Sequence, residues 1–206
     1  MAVTSSALSR RFNARVVSCF RGRKQAPAVP VPAAAAAQRT VKPKKATSRC
    51  DVFINHRGAD TKRTVAGLLY DRLVQLNLRP FLDSRTMEPG DKLYDCINSA
   101  ILDCKVGIAI FSPRYCESFF CLHELAMLVE SGKKLIPIFC DVKPSDILVA
   151  DVGSHPPEKI ELFRKALEEA KYTVGITFDS QNGNWSDLVS RTAEIVEKSI
   201  KEARGH

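Results

Sequence analysis

No apolar run in this chain approaches the roughly 18–20 residues that cross a bilayer as a helix, so the sequence offers no membrane span. Acidic residues are missing from 1–49, which hold eleven Lys/Arg and no Asp or Glu. That leaves residues 50–206 with twenty Lys/Arg against 23 Asp/Glu, a net of −3 within a chain whose formal charge is +8. The basic pI near 9.2 therefore belongs to the first segment and does not mark the rest as a nucleic-acid binder. Seven cysteines are present but none recurs at CxxC spacing, which excludes the usual zinc frameworks and leaves no metal site to expect. The phosphate cradles GxxxxGK[ST] and GxGxxG are both lacking.

What is there divides at Cys50. Residues 1–49 are rich in Arg, Ala, Ser and Pro, with five alanines at 33–37 and prolines at 27, 30, 32 and 43. Too few large apolar residues occur to build a core. This composition fits an organelle transit peptide or a disordered basic tail, and no apolar segment followed by a small-residue cleavage site suggests secretion. The odd cysteine count and the apolar neighbourhoods of most cysteines fit reduced, buried thiols. The expected location is the cytoplasm, or the chloroplast if 1–49 is a transit segment.

Residues 50–206 alternate strand-like and helix-like segments and are expected to form the single folded domain. A strand is predicted over 50–54, followed by a loop over 55–61 in which Asp60 or Thr61 caps the next helix. That helix places Val65, Leu68, Leu69, Leu73 and Leu76 on one face. A short strand over 79–82 and a loop over 83–91 follow. Leu93, Ile97, Ala100 and Ile101 mark a second helix. Val106 to Phe111 is an unbroken apolar run of strand length, broken at Ser112-Pro113. Leu122, Leu125, Ala126, Leu128 and Val129 then recur at helical spacing up to Gly132. A fourth strand is predicted over 135–139, an irregular loop over 141–151, a helix over 162–170 and a fifth strand around 173–178. Leu188, Ala193, Ile195, Val196 and Ile200 mark the last helix.

This alternation implies an α/β fold: a flavodoxin-like, five-stranded parallel sheet in the order 2-1-3-4-5 with helices on both faces. In such sheets a ligand site forms at the carboxyl ends of the strands where the order reverses, here between the first and third. The 55–61 and 112–124 loops meet there. They bring His56, Arg57, Ser118, Phe120 and Glu124 around one pocket. Glu124 lies off the apolar stripe of its helix, so it reads either as a solvated charge or as a catalytic carboxylate. It is not the acid of a capping box, because with Ser118 as N-cap that position falls on Cys121. His56 is a general base by residue type only. Phe119 and Phe120 read as core or as a ligand platform.

The motifs themselves resemble a known family. Residues 51–61, DVFINHRGADT, resemble the opening DVFLSFRGxDTR of plant Toll/interleukin-1 receptor (TIR) domains. Phe81-Leu82-Asp83 followed by Pro89-Gly90-Asp91 resembles the second-strand and BB-loop box. Ser112-Pro113-Arg114-Tyr115 with 118–125, SFFCLHEL, resembles SxxYxxSxWCLxEL. Residues 137–146, PIFCDVKPSD, resemble PIFYDVDPSDV. Among the departures, Phe120 stands for the usual Trp, His56 for Phe, and Pro89 for a basic residue. With no nucleotide-binding or leucine-rich-repeat segment following, the chain is most similar to the stand-alone TIR proteins of grasses.

The resemblance implies cleavage of NAD+, with NADP+ as a second substrate, at the nicotinamide–ribose bond. The products are nicotinamide with ADP-ribose or cyclic ADP-ribose variants, in plant immune and cell-death signalling. It implies Glu124 as the catalytic residue and His56, Arg57, Gly58, Ala59, Asp60, Thr61, Gly90, Ser118 and Phe120 as NAD-contacting residues. It also implies no cofactor or metal, and self-association through TIR–TIR contacts in which the BB loop of a neighbour, 84–92, completes the pocket. The competing readings are a non-catalytic TIR adaptor that signals by self-association and a phospho-acceptor receiver domain. The second lacks the acidic cluster that such a site needs.

Overall fold

The structure, a computed structural model, describes residues 50–149 and 156–204. The expectations for 1–49, and for the last part of the 141–151 loop, lie outside the described residues. Five strands form one parallel sheet in the order β2-β1-β3-β4-β5. They are β1 (Val52–His56), β2 (Pro80–Phe81), β3 (Val106–Phe111), β4 (Lys134–Cys140) and β5 (Ile176–Phe178). The connecting helices are α1 (Gly58–Thr61), α2 (Val65–Gln75), α3 (Asp83–Thr86), α4 (Leu93–Asp103), α5 (Phe119–Glu130), α6 (Pro157–Tyr172) and α7 (Trp185–Arg204).

The central strands are buried on both faces, which is why they read as continuous apolar runs. On one side Val52, Ile54, Val106 and Ile108 pack with Leu69 and Leu73 of α2 and with Val196 and Ile200 of α7. On the other side Phe53 meets Ile97 and Ile101 of α4 and Leu128 of α5. Ala109, Phe111 and Phe139 meet Leu122 and Leu125 of α5 and Phe163 of α6. A Cβ on Gly107 would sit 2.9 Å from Leu128 Cδ2. The glycine thus lets α5 lie close on β3, and α5 carries Glu124.

Helix α5 stops for a local reason. Gly132 has φ +63, and its N–H donates to the Val129 carbonyl at 3.0 Å while that of Lys133 donates to the Leu128 carbonyl at 3.3 Å. This is the left-handed helix stop that glycine permits at least cost. Asn77, also left-handed with φ 57, ends α2 through the same pair of bonds from Asn77 and Leu78.

Several boundaries differ from those the apolar pattern predicts. Strand β1 runs on to His56, in register with Ile110 of β3, and so includes two residues expected in the loop. The ladder continues because Asn55, although polar, finds buried partners. Neither Asp60 nor Thr61 caps the long helix that follows. Both lie in α1, and Thr64 precedes α2 without a side-chain cap bond. Leu68 and Leu93 are 44% and 43% exposed rather than in the core. Strand β2 shrinks to two residues and starts at Pro80, which an edge strand tolerates. Part of the 83–91 loop is helical, as α3.

Candidate active site

Strand order reverses between β1 and β3, and a cleft of about 290 Å³ opens at the carboxyl end of β1. Seven of the residues singled out from the sequence line it: His56, Arg57, Gly58, Ala59, Ser118, Phe120 and Glu124. Three do not. Asp60 and Thr61 point into a separate small hollow beside Ser112 and Cys140, and Gly90 lines neither. Gly90 does adopt a left-handed φ of +105, so its role in the chain is a turn that glycine allows.

Asp60 is engaged elsewhere. Its carboxylate accepts from Ser112 Oγ at 2.7 Å, from the Arg114 backbone N–H at 3.2 Å and from Arg114 Nε at 2.9 Å. Burial raises its pKa, but the Ser112 and Arg114 bonds outweigh that and hold it below the ordinary carboxylate range. The acid ties α1, after β1, to the turn after β3, beside the cleft rather than in it. Ser118 is likewise committed: it is the N-cap of α5, accepting from the Cys121 N–H at 3.3 Å.

Glu124 lies in the second turn of α5 and is partly exposed to the cleft. Its Oε2 accepts one hydrogen bond, from Asn55 Nδ2 at 2.9 Å. Burial pushes its pKa up to about 7; the Asn55 bond opposes this, and the like charge of Asp83 adds to it. Asp83 also lines the cleft, at the start of α3. Two neighbours matter for ligand contact. The Nε atoms His56 Nε2 and Arg57 Nε are buried with no hydrogen-bond partner among the described residues, and a buried polar atom without a partner is costly unless a ligand or water satisfies it. Burial holds His56 below its usual pKa, so the ring is neutral near pH 7. Phe120 is 46% exposed and its ring centroid lies 5.9 Å from that of the half-exposed Tyr94. Phe119 instead packs edge-on against Phe163, so only the second phenylalanine of the pair is a platform.

Asn55 behind Glu124, and Asp83, Phe81, Ile97 and Cys121 in the lining, are surroundings to which the sequence alone assigns no site role. Asn55 was discoverable in principle: it is a polar residue at the end of an apolar strand. Cys121 is no nucleophile, since burial pushes its thiol up to about 12 and its sulfur donates to the His56 carbonyl at 3.3 Å. A wider depression of about 820 Å³ lies at the ends of β4 and β5. Its acids are occupied, Asp141 by the Ser180 N–H at 2.7 Å and Asp179 by the Gln181 N–H at 2.8 Å. No cluster fit to hold a metal occurs among the described residues.

A family model for the TIR domain matches residues 50–203, three quarters of the chain. The chain belongs to the TIR family. This TIR domain is 60% identical, over 153 residues, to a Brachypodium distachyon protein described as a probable 2′ cyclic ADP-D-ribose synthase. The match covers 72% of this chain and 68% of that one. It is also 34% identical over 123 residues to TMV resistance protein N of Nicotiana glutinosa, covering 58% of this chain and 10% of that protein. Arabidopsis thaliana disease resistance protein RPS4B is 32% identical over 164 residues, covering 73% of this chain and 14% of its own length. The TIR domain thus corresponds to a small part of those resistance proteins. The TIR domains of the activated Roq1 resistosome superpose with a TM-score of 0.64 at 24% identity, over 71% of this chain and 99% of theirs. That likeness bears out the five-stranded order. Among the described residues no helix is long and apolar enough to cross a membrane.

Proposed function

We propose that this TIR domain cleaves the nicotinamide–ribose bond of NAD+, with Glu124 as the catalytic carboxylate. The observation that carries the reading is the place of Glu124: its carboxylate lines the switch-point cleft, held by a single neutral donor at 2.9 Å, and burial pushes its pKa up to about 7. The 60% identity to a described cyclic ADP-ribose synthase supports it.

Nicotinamide is bound in NAD+ as a cationic pyridinium. When the bond to C1′ of the ribose breaks, the electron pair goes to the ring nitrogen and nicotinamide leaves neutral. No acid is needed to protonate it. Positive charge grows on the ribose, as in glycoside cleavage, and an ionised Glu124 beside it lowers the barrier. Water then bonds to C1′ and releases a proton, giving ADP-ribose. A hydroxyl of the same nucleotide that attacks instead releases one proton and closes a cyclic ADP-ribose. Phe120 supplies a ring face for the nicotinamide end. The neutral His56 and the Arg57 Nε–H are available to the polar parts of the substrate.

The cleft, about 290 Å³, sits at the lower limit of sites that enclose a ligand, typically about 300–1,000 Å³. It holds the nicotinamide–ribose end, and the rest of the dinucleotide crosses the mouth, where Leu93, Tyr94 and Phe120 are exposed. A second copy laid over this mouth completes the enclosure, so activity per molecule rises with protein concentration. A dilution series followed by light scattering tests this; constant specific activity from a confirmed monomer overturns it. The principal experiment incubates the full chain with NAD+ and measures nicotinamide by chromatography. NADP+, ADP-ribose and cyclic products are resolved in the same runs. A folded protein that releases no nicotinamide at any concentration overturns the reading in favour of an adaptor that acts by association alone. The relatedness of this domain to parts of plant resistance proteins supports an output in immune signalling.

A further inference from the structure

Asn55, near the end of β1, is fully buried, and the polar atoms of its side chain are all engaged. Its Nδ2 donates to Glu124 Oε2 at 2.9 Å and to the Cys121 carbonyl at 3.1 Å. A primary amide has two N–H donors, and both are used. The Tyr115 hydroxyl donates to Asn55 Oδ1 and also lies 3.1 Å from the Cys121 carbonyl. These partners fix which way the amide faces. Turned over, its oxygen would meet a carbonyl oxygen and a carboxylate, neither of which can donate. Tyr115 is itself immobilised, fully buried with its ring edge-on to Phe111 at 4.7 Å. Strand β1, the turn after β3 and helix α5 are thereby joined through one side chain.

We propose that Asn55 is a positioning residue that holds Glu124 by Oε2, leaving Oε1 to face the ribose of the substrate. This rests on the assignment of Glu124 as the catalytic carboxylate. The Oε1 atom makes no hydrogen bond within the described residues, so the carboxylate is anchored on one oxygen only. An N–H donated to a carboxylate favours its charged form, the form that stabilises positive charge on the ribose. The other groups around Glu124 do not offer this. Asp83, at the start of α3, repels it. The Cys121 thiol and the Tyr115 phenol are held protonated by burial, and His56 is held neutral. Arg57, in the loop after β1, lines the cleft and acts on the Cys121 thiol. From α4 come the apolar Leu93 and Ile97. A serine at position 55, as in the plant motif that residues 51–61 resemble, has one O–H and cannot serve both Glu124 and the Cys121 carbonyl.

The test uses the full chain with Asn55→Ala, Asn55→Ser and Tyr115→Phe. The Glu124 carboxyl carbon is followed by NMR as a function of pH without substrate, and kcat and KM for NAD+ are measured over the same range. Loss of a hydrogen bond to a charged group shifts a titration by roughly one to two pH units. Asn55→Ala is expected to move the Glu124 titration up by that amount. It should lower kcat at neutral pH by about tenfold or more, with KM little changed and partial recovery as the pH rises. Asn55→Ser should fall between Asn55→Ala and the parent protein. Tyr115→Phe removes the group that orients the amide and shifts the titration in the same direction by less. If Asn55→Ala does not fold, the other two variants carry the test. A Glu124 titration and a kcat–pH limb that stay put in the folded variants overturn the inference. That failure is distinct from failure of the catalytic reading, which an active Glu124→Gln protein would reveal while the substrate-free titration still reported on Asn55.

Discussion

Asp51 and Glu124 are carboxylates at opposite ends of the same sheet, and the protein treats them in opposite ways. Asp51 precedes β1 at the amino end of the strands, with its side chain 3% exposed. It accepts from the Arg79 backbone N–H at 3.2 Å, from Arg79 Nε at 3.0 Å and Nη2 at 3.3 Å, and from Lys105 Nζ at 3.2 Å. Burial alone pushes its pKa up, but the Arg79 and Lys105 bonds and charges outweigh it and hold the group below its ordinary value. Glu124 has one neutral donor and a like charge nearby, so burial wins and the pKa rises to about 7. The two differ in their donors: two cations and a backbone N–H for Asp51, one amide for Glu124. The compensated acid ties β1 to the segments before β2 and β3, while the under-compensated one is left with charge to offer a substrate.

The sharpest way to break this comparison is Glu124→Gln. Its kcat for NAD+ should fall by two to three orders of magnitude, roughly 3–4 kcal/mol, with KM little changed. The same substitution should stabilise the fold at a pH well above 7. A carboxylate whose pKa rises from 4.5 to about 7 on folding makes the ionised native state less favourable by up to about 3 kcal/mol. Nicotinamide release and urea denaturation measure the two effects, and a variant that is both inactive and less stable in alkali would contradict the account of Glu124.

Asp51→Asn is the converse. It should cost roughly 1–3 kcal/mol of stability, read by urea denaturation, while the folded fraction turns over NAD+ at the parent rate. The two acids also differ in the sign of their pH dependence. Glu124 binds its proton more tightly in the native state, so its contribution to stability is present below 4.5 and is lost as pH rises towards 7. Asp51 binds its proton less tightly there, so its contribution is present above its unfolded pKa and is lost only in acid, as pH falls through its lower folded value. In the same range log kcat/KM should climb through a single ionisation near 7. A flat profile from pH 5 to 8 would disconnect Glu124 from the chemistry. The smallest effect is expected at Glu117, exposed in the turn before α5. Glu117→Ala should keep activity within about twofold, as surface changes usually do.

Much of this architecture was legible in the chain. The run from Val106 to Phe111 forms β3 with the predicted bounds, because a strand buried on both faces must be apolar throughout. The Ser118 cap and the Gly132 stop follow from side-chain oxygen and backbone freedom, both local properties. The site was legible in part. Glu124, His56, Arg57, Gly58, Ala59, Ser118 and Phe120 line the cleft because they fall at the carboxyl end of β1, in α1 and at the start of α5, where the strand order reverses. Asp60, Thr61 and Gly90 lie outside it. At Asp60, motif position could not reveal that Ser112 and Arg114, more than fifty residues on, claim its carboxylate.

What the sequence determined by itself is the order of elements, and through it the parallel sheet and the place where its order reverses, since hydrophobic period and turn chemistry act between near neighbours. Only the tertiary structure decided which polar groups meet. Asn55 and Glu124 stand 69 positions apart and come together through the packing of α5 against β1 and β3. Asp51 acquires Arg79 and Lys105 in the same way, from 28 and 54 positions away. A carboxylate's charge state depends on the sum of burial and a few contacts within hydrogen-bond reach, and no local pattern in the chain encodes that sum.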